Sequence, residues 1–298
     1  MKLFAPGYYK KFKCIADKCN HSCCVGWEID IDSATLEKYK SLSTGYGKTI
    51  METVDKTDIP HFKLCGDGRC PHLDKSGLCR IIIELGDSYL ADICREHPRF
   101  YNVTPRGVEV GLGLSCEEAC RIVLSSDCYD EFIELVDSDG EVYSGTCDPL
   151  SLRERVYKIL KRHELSYEKR LELVSREAGV SLSAYDDGKW REIFAELEYL
   201  DESHRELFSR FSQAIPENEE NSELLERFLA YLIFRHCSPC VSKDELRAAF
   251  GFSLLLERAL ASLGRGKGKE ELIDLARMIS EELEYSEDNT ESLKLEFY

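Results

Sequence analysis

Between residues 14 and 27 the chain reads CIADKCNHSCCVGW, with four cysteines in eleven positions and two of them adjacent. A packed core does not need sulfur at that density, so such residues either bridge to one another or hold a metal. Thiolates are soft ligands that select zinc, copper(I) or iron–sulfur clusters. More cysteines follow: Cys65, then Cys70 and Cys79 in CPHLDKSGLCRI, Cys94 in CREHPRF, and Cys116 and Cys120 on either side of EEA. A cluster needs four converging ligands, and turns supply them well because backbone amides can also face the sulfurs.

The spacing is not that of an ordinary zinc module, where paired C-x2–4-C knuckles are separated by a modest loop. From Cys14 to Cys116 the ligands spread over about a hundred residues. His21, His61, His72 and His97 lie near cysteines and keep a mixed Cys/His zinc site open. Three readings of the sulfurs therefore stand side by side: an iron–sulfur centre, a zinc site, and structural thiols, reduced or bridged.

The whole chain bounds these readings. It has 298 residues, 43% of them apolar, enough for one large domain or two ordinary ones. No window approaches the ~20 apolar residues of a membrane span. The N-terminal MKLFAPGYYKKFKC has no apolar signal-peptide region, so the expectation is a cytoplasmic protein without a membrane partner. Fourteen cysteines in a reducing compartment point to metal or redox chemistry rather than a disulfide framework. Twelve of them precede residue 148. A net charge of −17, from 39 basic and 56 acidic residues, argues against a nucleic-acid partner and suits solubility or a basic protein partner.

The ordered blocks FKC…C…CCVGWEIDID, CPHLD…GLCRI, GDSYLADICREHPR and GLSCEEACR resemble the flagellin lysine-N-methylase (FliB-type) family. The middle blocks also resemble the broader zinc- or iron-chelating cysteine-cluster proteins. The resemblance covers residues 12 to about 121, with a weaker echo in FLAYLIFRH at 228–236. It implies a methyltransferase that uses S-adenosylmethionine and an iron–sulfur cluster, of the 4Fe–4S kind, to methylate lysines of flagellin. It maps cluster cysteines onto Cys14, Cys19, Cys23, Cys24, Cys70, Cys79, Cys94 and Cys116, eight candidates for four positions. The alternative it leaves is a noncatalytic protein chelating zinc or iron. Cys65, Cys120, Cys128 and Cys147 are extra to the pattern and are expected as small buried residues.

Other motifs carry weaker chemistry. Arg95, Arg99 and Arg121 lie within the cysteine blocks; Arg95 and Arg99 are candidates to pair with a cofactor carboxylate, against the reading of surface ion partners. VEVGLGLS (108–115) mimics the glycine-rich loop of a Rossmann-type methyltransferase. Its third glycine is replaced by Ser115, however, and no strand–helix alternation follows, which favours glycines placed for close packing. Cys19 and Cys23 have the first spacing of a C-x3-C-x2-C radical cluster motif, but residue 26 is glycine. The CSPC at 237–240 follows a helix C-terminus, where the dipole disfavours a thiolate, and reads as structural. Trp27 reads as a core anchor, and His163 and His204 as solvent-facing.

The elements that must position these residues form a mainly α chain. A cysteine-rich, irregular α+β metal-binding unit is expected over 1–148, and a helical bundle over 149–298. WEIDID (27–32) alternates as a strand, SATLEKYKSL suits a helix, and FYNVT with GVEVGLGL across Pro105, Arg106 and Gly107 suits a hairpin. EEACRIVLSSDCYDEFIELV (117–136) carries a helical period. Ser151 with Glu154 and Ser242 with Glu245 read as capping boxes. Helical runs are expected at 166–178, 188–212, 221–236, 242–263 and 268–284, with LLERFLAYLIF (224–234) enclosed by the others and the last dozen residues frayed.

Overall fold

The hairpin forms as its alternating apolar residues require. β4 (Arg99–Thr104) and β5 (Gly107–Leu112) are antiparallel, with Thr104 opposite Gly107. β5 is buried at every residue and pairs in parallel with β1 (Leu3–Pro6), which pairs in antiparallel with β6 (Phe132–Glu134). The sheet order β4-β5-β1-β6 is mixed and has no doubly wound character. The computed structural model describes residues 2–42, 45–135, 142–214 and 221–298.

The chain divides into two units, but not at residue 148. One comprises Lys13–Pro98 and Cys116–Glu118; the other comprises Met1–Phe12, Arg99–Ser115 and Ala119–Tyr298. The four-stranded sheet thus belongs with the helices. The reason is visible at Glu109, a buried carboxylate on β5 neutralised by Arg153 on the helix Pro149–Leu160. A buried charge must lie beside its partner, and that places β5 with the helical chain.

In the cysteine-bearing unit, Ile29 and Ile31 of WEIDID point inward while Glu28 is exposed, as alternation requires. The segment pairs only through an isolated bridge, Asp30 with His61, and is not a full strand. Trp27 is half-buried rather than a core anchor. The helix Ser33–Ser41 follows, started by Asp32, whose side chain accepts from the Thr35 amide. Helices Tyr46–Thr53, Arg80–Leu85 and Asp92–Glu96 and the short pair β2 (Val54–Asp55) and β3 (His61–Phe62) complete it. Its core gathers Ile29, Ile31, Tyr39, Ile50, Phe62 and Ile81.

In the other unit several elements differ from their local signals. The helix expected over 117–136 stops at Leu124; residues 132–134 become β6 because Ile133 finds a ladder partner in Ala5, and residue 136 lies outside the described residues. Asp148, not Ser151, caps the next helix, accepting from the Ser151 amide. Ser242 does cap its helix, Lys243–Leu263, and Ser166 caps Tyr167–Ala178. The 188–212 run breaks into Asp187–Glu196 and Glu202–Phe208. Asp201 opens the second of these with a side-chain cap to the Ser203 amide. The helix Ser222–Leu232 is buried on nearly every face, as its apolar run requires. It continues as a π-helical turn, Ile233–Cys237, and Lys269–Ile279 continues likewise through Ser280–Glu284. The C-terminus is not frayed: Glu287–Leu295 is helical, with Asn289, Leu293 and Phe297 buried.

Candidate metal centre

All eight candidate cysteines fall in the same unit, together with Cys65. Within it they occupy two environments. Cys70 is a buried member of the core, and Cys24, Cys79 and Cys94 pack against that core as partly buried residues. The Cys70 amide donates to the Cys24 carbonyl at 2.8 Å, tying the CC turn to the CPHLD turn. Cys79 precedes the helix Arg80–Leu85, and Cys94 lies within Asp92–Glu96.

The thiols of this set act on one another. Burial pushes Cys94 up to about 12, with Cys24, Cys70 and Cys79 adding to the rise. Burial also pushes Cys70 up to about 12, opposed by the amides of His72 and Leu73, which hydrogen-bond to its sulfur. Burial likewise raises Cys79 against the amides of Ile82 and Ile81. Cys24 moves the other way, down to about 7: the Cys23 thiol donates to it, and Ser22 and Arg69 help against burial. It is the member closest to a thiolate at neutral pH.

The remaining four sit differently. Cys14 and Cys23 are exposed, Cys19 and Cys116 intermediate. Burial raises Cys19 to about 11, with Glu117 and Cys116 adding to it. Cys23 is raised by its bond to Cys24 and by burial, with further contributions from Cys116 and Cys14. Glu117 organises this region. Its carboxylate accepts from the Asn20 amide at 2.7 Å and the His21 amide at 3.0 Å, from Asn20 Nδ2 at 3.2 Å and from Cys19 Sγ at 3.6 Å. Sequence reasoning missed this residue, although its place directly after Cys116 in SCEEAC was a signal.

The donor set fits a soft metal: thiols gathered around one core, with backbone amides turned onto two of the sulfurs. Among the described residues, no three His, Cys, Asp or Glu side chains already stand in metal-holding geometry. His72 is not available to join them. Its Nδ1 is paired with Tyr46 Oη at 2.6 Å and its Nε2 with Thr53 Oγ1 at 3.0 Å, and burial, then Arg80, lowers it to about 4. His61 Nδ1 lies 2.8 Å from the Ile59 carbonyl.

The chain is 31% identical over 127 residues to the flagellar biosynthetic protein FliU of Salmonella muenchen, a match taking in 40% of this chain and 75% of that protein. This chain belongs to the FliU family. Proteins named lysine-N-methylase from Salmonella typhimurium and Salmonella choleraesuis are likewise 31% identical to it over 127 residues, 40% of this chain. The match spans only 32% of each of those longer relatives. No family model and no solved structure matches the chain. Among the described residues, no helix is long and apolar enough to cross a membrane.

In this FliU-family chain the two candidate arginines fall in different units. Arg95 pairs with Asp92 and Glu96 and reaches the Leu90 carbonyl; Arg99 donates from Nε to Tyr9 Oη at 2.9 Å. Arg121 is on the helix Glu117–Leu124. Of the extra cysteines, Cys120 is buried and Cys128 and Cys147 are intermediate, but Cys65 is exposed, because it sits in a tight turn closed by the Gly68 amide on its carbonyl. Cys237 and Cys240 are both buried, and burial raises both thiols, in keeping with a structural pair.

The glycine-rich strand end is filled by protein. A Cβ on Gly111 would lie 2.3 Å from the Phe100 ring and 2.6 Å from that of Phe234; one on Gly113 would lie 1.9 Å from Tyr285 Oη. Beside it a buried polar network joins the two π-helical turns. Arg235 Nη1 donates to Tyr231 Oη at 2.8 Å, and His236 Nε2 lies 2.7 Å from Glu284 Oε1. His163 is exposed against Glu226, whereas His204 is half-buried, its Nδ1 held 2.6 Å from Glu282. The buried Glu282 carboxylate needs that partner, which draws the ring inward.

Proposed function

We propose that this chain is an iron–sulfur-containing, S-adenosylmethionine-dependent protein lysine N-methyltransferase that acts on flagellin. The observation that carries the reading is the 31% identity shared with FliU and with proteins named lysine-N-methylase. The residues that would hold the metal are Cys24, Cys70, Cys79 and Cys94. Burial raises the Cys70 and Cys79 thiols against the backbone amides that face their sulfurs, while the Cys23 thiol, Ser22 and Arg69 together lower Cys24. A bound iron–sulfur cluster supplies low-potential electrons or a Lewis-acidic iron. In the methyl transfer, the neutral lysine Nζ attacks the sulfonium methyl carbon, the C–S bond breaks, and S-adenosylhomocysteine leaves. The amine must first lose a proton, which needs a desolvating site or a base.

The test is genetic. A strain lacking this chain should yield flagellin without methyl-lysine by mass spectrometry, restored by the wild-type gene; unchanged methylation would remove this role.

A second reading is a noncatalytic zinc- or iron-chelating protein. Its support is the gathering of Cys24, Cys70, Cys79 and Cys94 at one apolar core, which offers soft sulfur donors without calling for a methyl donor. Saturable binding of S-adenosylmethionine by calorimetry separates the two, since a chelating module has no use for it.

A further inference from the structure

We infer that Cys147 and Cys240 form a thiol-oxidation site in the helical unit. Peroxide closes a disulfide there, tying the segment before the helix Pro149–Leu160 to the turn after the π-helical residues Ile233–Cys237. Neither cysteine is among the eight read as metal ligands, so the inference stands apart from the proposed function.

Hydrogen bonds hold the two segments side by side. The Thr146 amide donates to the Val241 carbonyl at 2.7 Å, and Thr146 Oγ1 donates to the same oxygen at 3.3 Å. Tyr143 Oη donates to the Cys240 carbonyl at 2.8 Å and lies 3.1 Å from that of Cys147. One residue along from the Thr146–Val241 bond, Cys147 Sγ donates to the Cys240 carbonyl at 3.2 Å. That contact keeps the Cys147 sulfur within about 5.6 Å of Cys240 Cα, given the Cα–C and C=O bond lengths. Bridged cysteines have Cα atoms about 4.4–6.8 Å apart, a separation that two hydrogen-bonded neighbouring segments supply. Cys237 is nearer to Cys240 in sequence, but it is fully buried, with its Sγ 3.9 Å from Ser253 Oγ. Cys147 is only half-buried and is the sulfur that an oxidant meets first.

The oxidant is hydrogen peroxide. The Cys147 thiolate attacks one peroxide oxygen, the O–O bond breaks, and a sulfenic acid and one water result. The Cys240 sulfur then attacks the Cys147 sulfur, the S–O bond breaks, and hydroxide leaves as a second water with the Cys240 proton. Two thiols lose two electrons and one peroxide gains them. The proton that Cys240 gives up is the one holding its sulfur on the His236 carbonyl at 3.2 Å. The bond that directs this sulfur elsewhere is therefore lost in the same step. The disulfide closes a long loop, from residue 147 to residue 240, and constrains the unfolded chain. It reinforces elements that Arg153 already joins by donating to Ser238 Oγ at 2.6 Å.

The test treats the full chain with hydrogen peroxide, raised until the exposed Cys14, Cys23 and Cys65 are oxidised. Remaining thiols are alkylated and tryptic peptides are mapped without reduction. Fragmentation places the link, because Cys128 and Cys147 share one tryptic peptide and Cys237 and Cys240 another. A Cys147–Cys240 linkage that a thiol reductant reverses is the expected result. Free Cys147 and Cys240 at that point would overturn the inference, as would a Cys237–Cys240 linkage. Peroxide-treated wild type should also unfold several degrees higher than Cys147→Ser treated alike. Equal unfolding temperatures would contradict the tie between the two segments. The wild-type map decides the site even where Cys147→Ser fails to fold.

Discussion

Arg153 and Glu109 form a two-armed ion pair inside the helical unit, with Nη1 to Oε2 at 2.6 Å and Nη2 to Oε1 at 2.9 Å. Arg106 adds a further ion pair to the same carboxylate at 2.6 Å. The pair fastens β5 to the helix Pro149–Leu160, so removing the guanidinium would leave a buried carboxylate under-neutralised. Arg153→Ala should cost about 3–5 kcal/mol in urea unfolding. Replacing both residues by leucine should recover much of that loss, and a double variant as unstable as the single would contradict this account.

Gly111 tests whether the glycine-rich strand end is packing or a cofactor loop. Alanine there would push into the rings of Phe100 and Phe234. It should destabilise the chain by about 1–3 kcal/mol with no ligand present. A Gly111→Ala chain of wild-type stability that had lost S-adenosylmethionine binding would restore the cofactor-loop reading.

His236 links the helical unit to pH. Burial lowers its pKa to about 4, against the opposing pull of Glu284, so the folded chain keeps it neutral where the unfolded chain protonates it. Burial also pushes Glu284 up, but Arg235 and His236 outweigh it and hold the carboxyl below its usual value. Both groups therefore contribute stability above their ordinary pKa values and lose it as pH falls, His236 between about 6.5 and 4. Urea unfolding should show a loss on the order of 2 kcal/mol from His236 between pH 7 and pH 4.5. His236→Gln should flatten that part of the profile; an unchanged slope would show that other groups carry it.

His72 sits two residues from Cys70, yet both its ring nitrogens are taken by Tyr46 and Thr53. His72→Gln should lower stability by about 1–3 kcal/mol through lost buried hydrogen bonds while leaving metal content unchanged. Loss of stoichiometric metal without loss of fold would make His72 a ligand.

Several local features were legible where neighbours in sequence are also neighbours in space. The Thr104–Gly107 turn, the Ser242 cap and the enclosed helix at 222–232 all follow from spacing and side-chain type. The pairing of β1 with β5 was not legible, because LFAP is short and its partner lies about a hundred residues on. For the same reason the boundary at 148 failed: it followed composition, whereas the Arg153–Glu109 pair follows charge neutralisation across that point. The cysteines could be counted but not sorted. Their division depends on burial around Cys70 and on the hydrogen bonds of Glu117, and neither leaves a periodic trace in sequence.

The most direct test of the central claim is methyl transfer in vitro. Anaerobically purified, iron-loaded protein is incubated with flagellin and methyl-labelled S-adenosylmethionine, and lysine side chains are analysed by mass spectrometry. Labelled methyl-lysine on flagellin, dependent on the chain and absent when Cys70 is serine, is the predicted result. Unmodified flagellin in the presence of fully loaded wild-type protein would contradict the methyltransferase assignment.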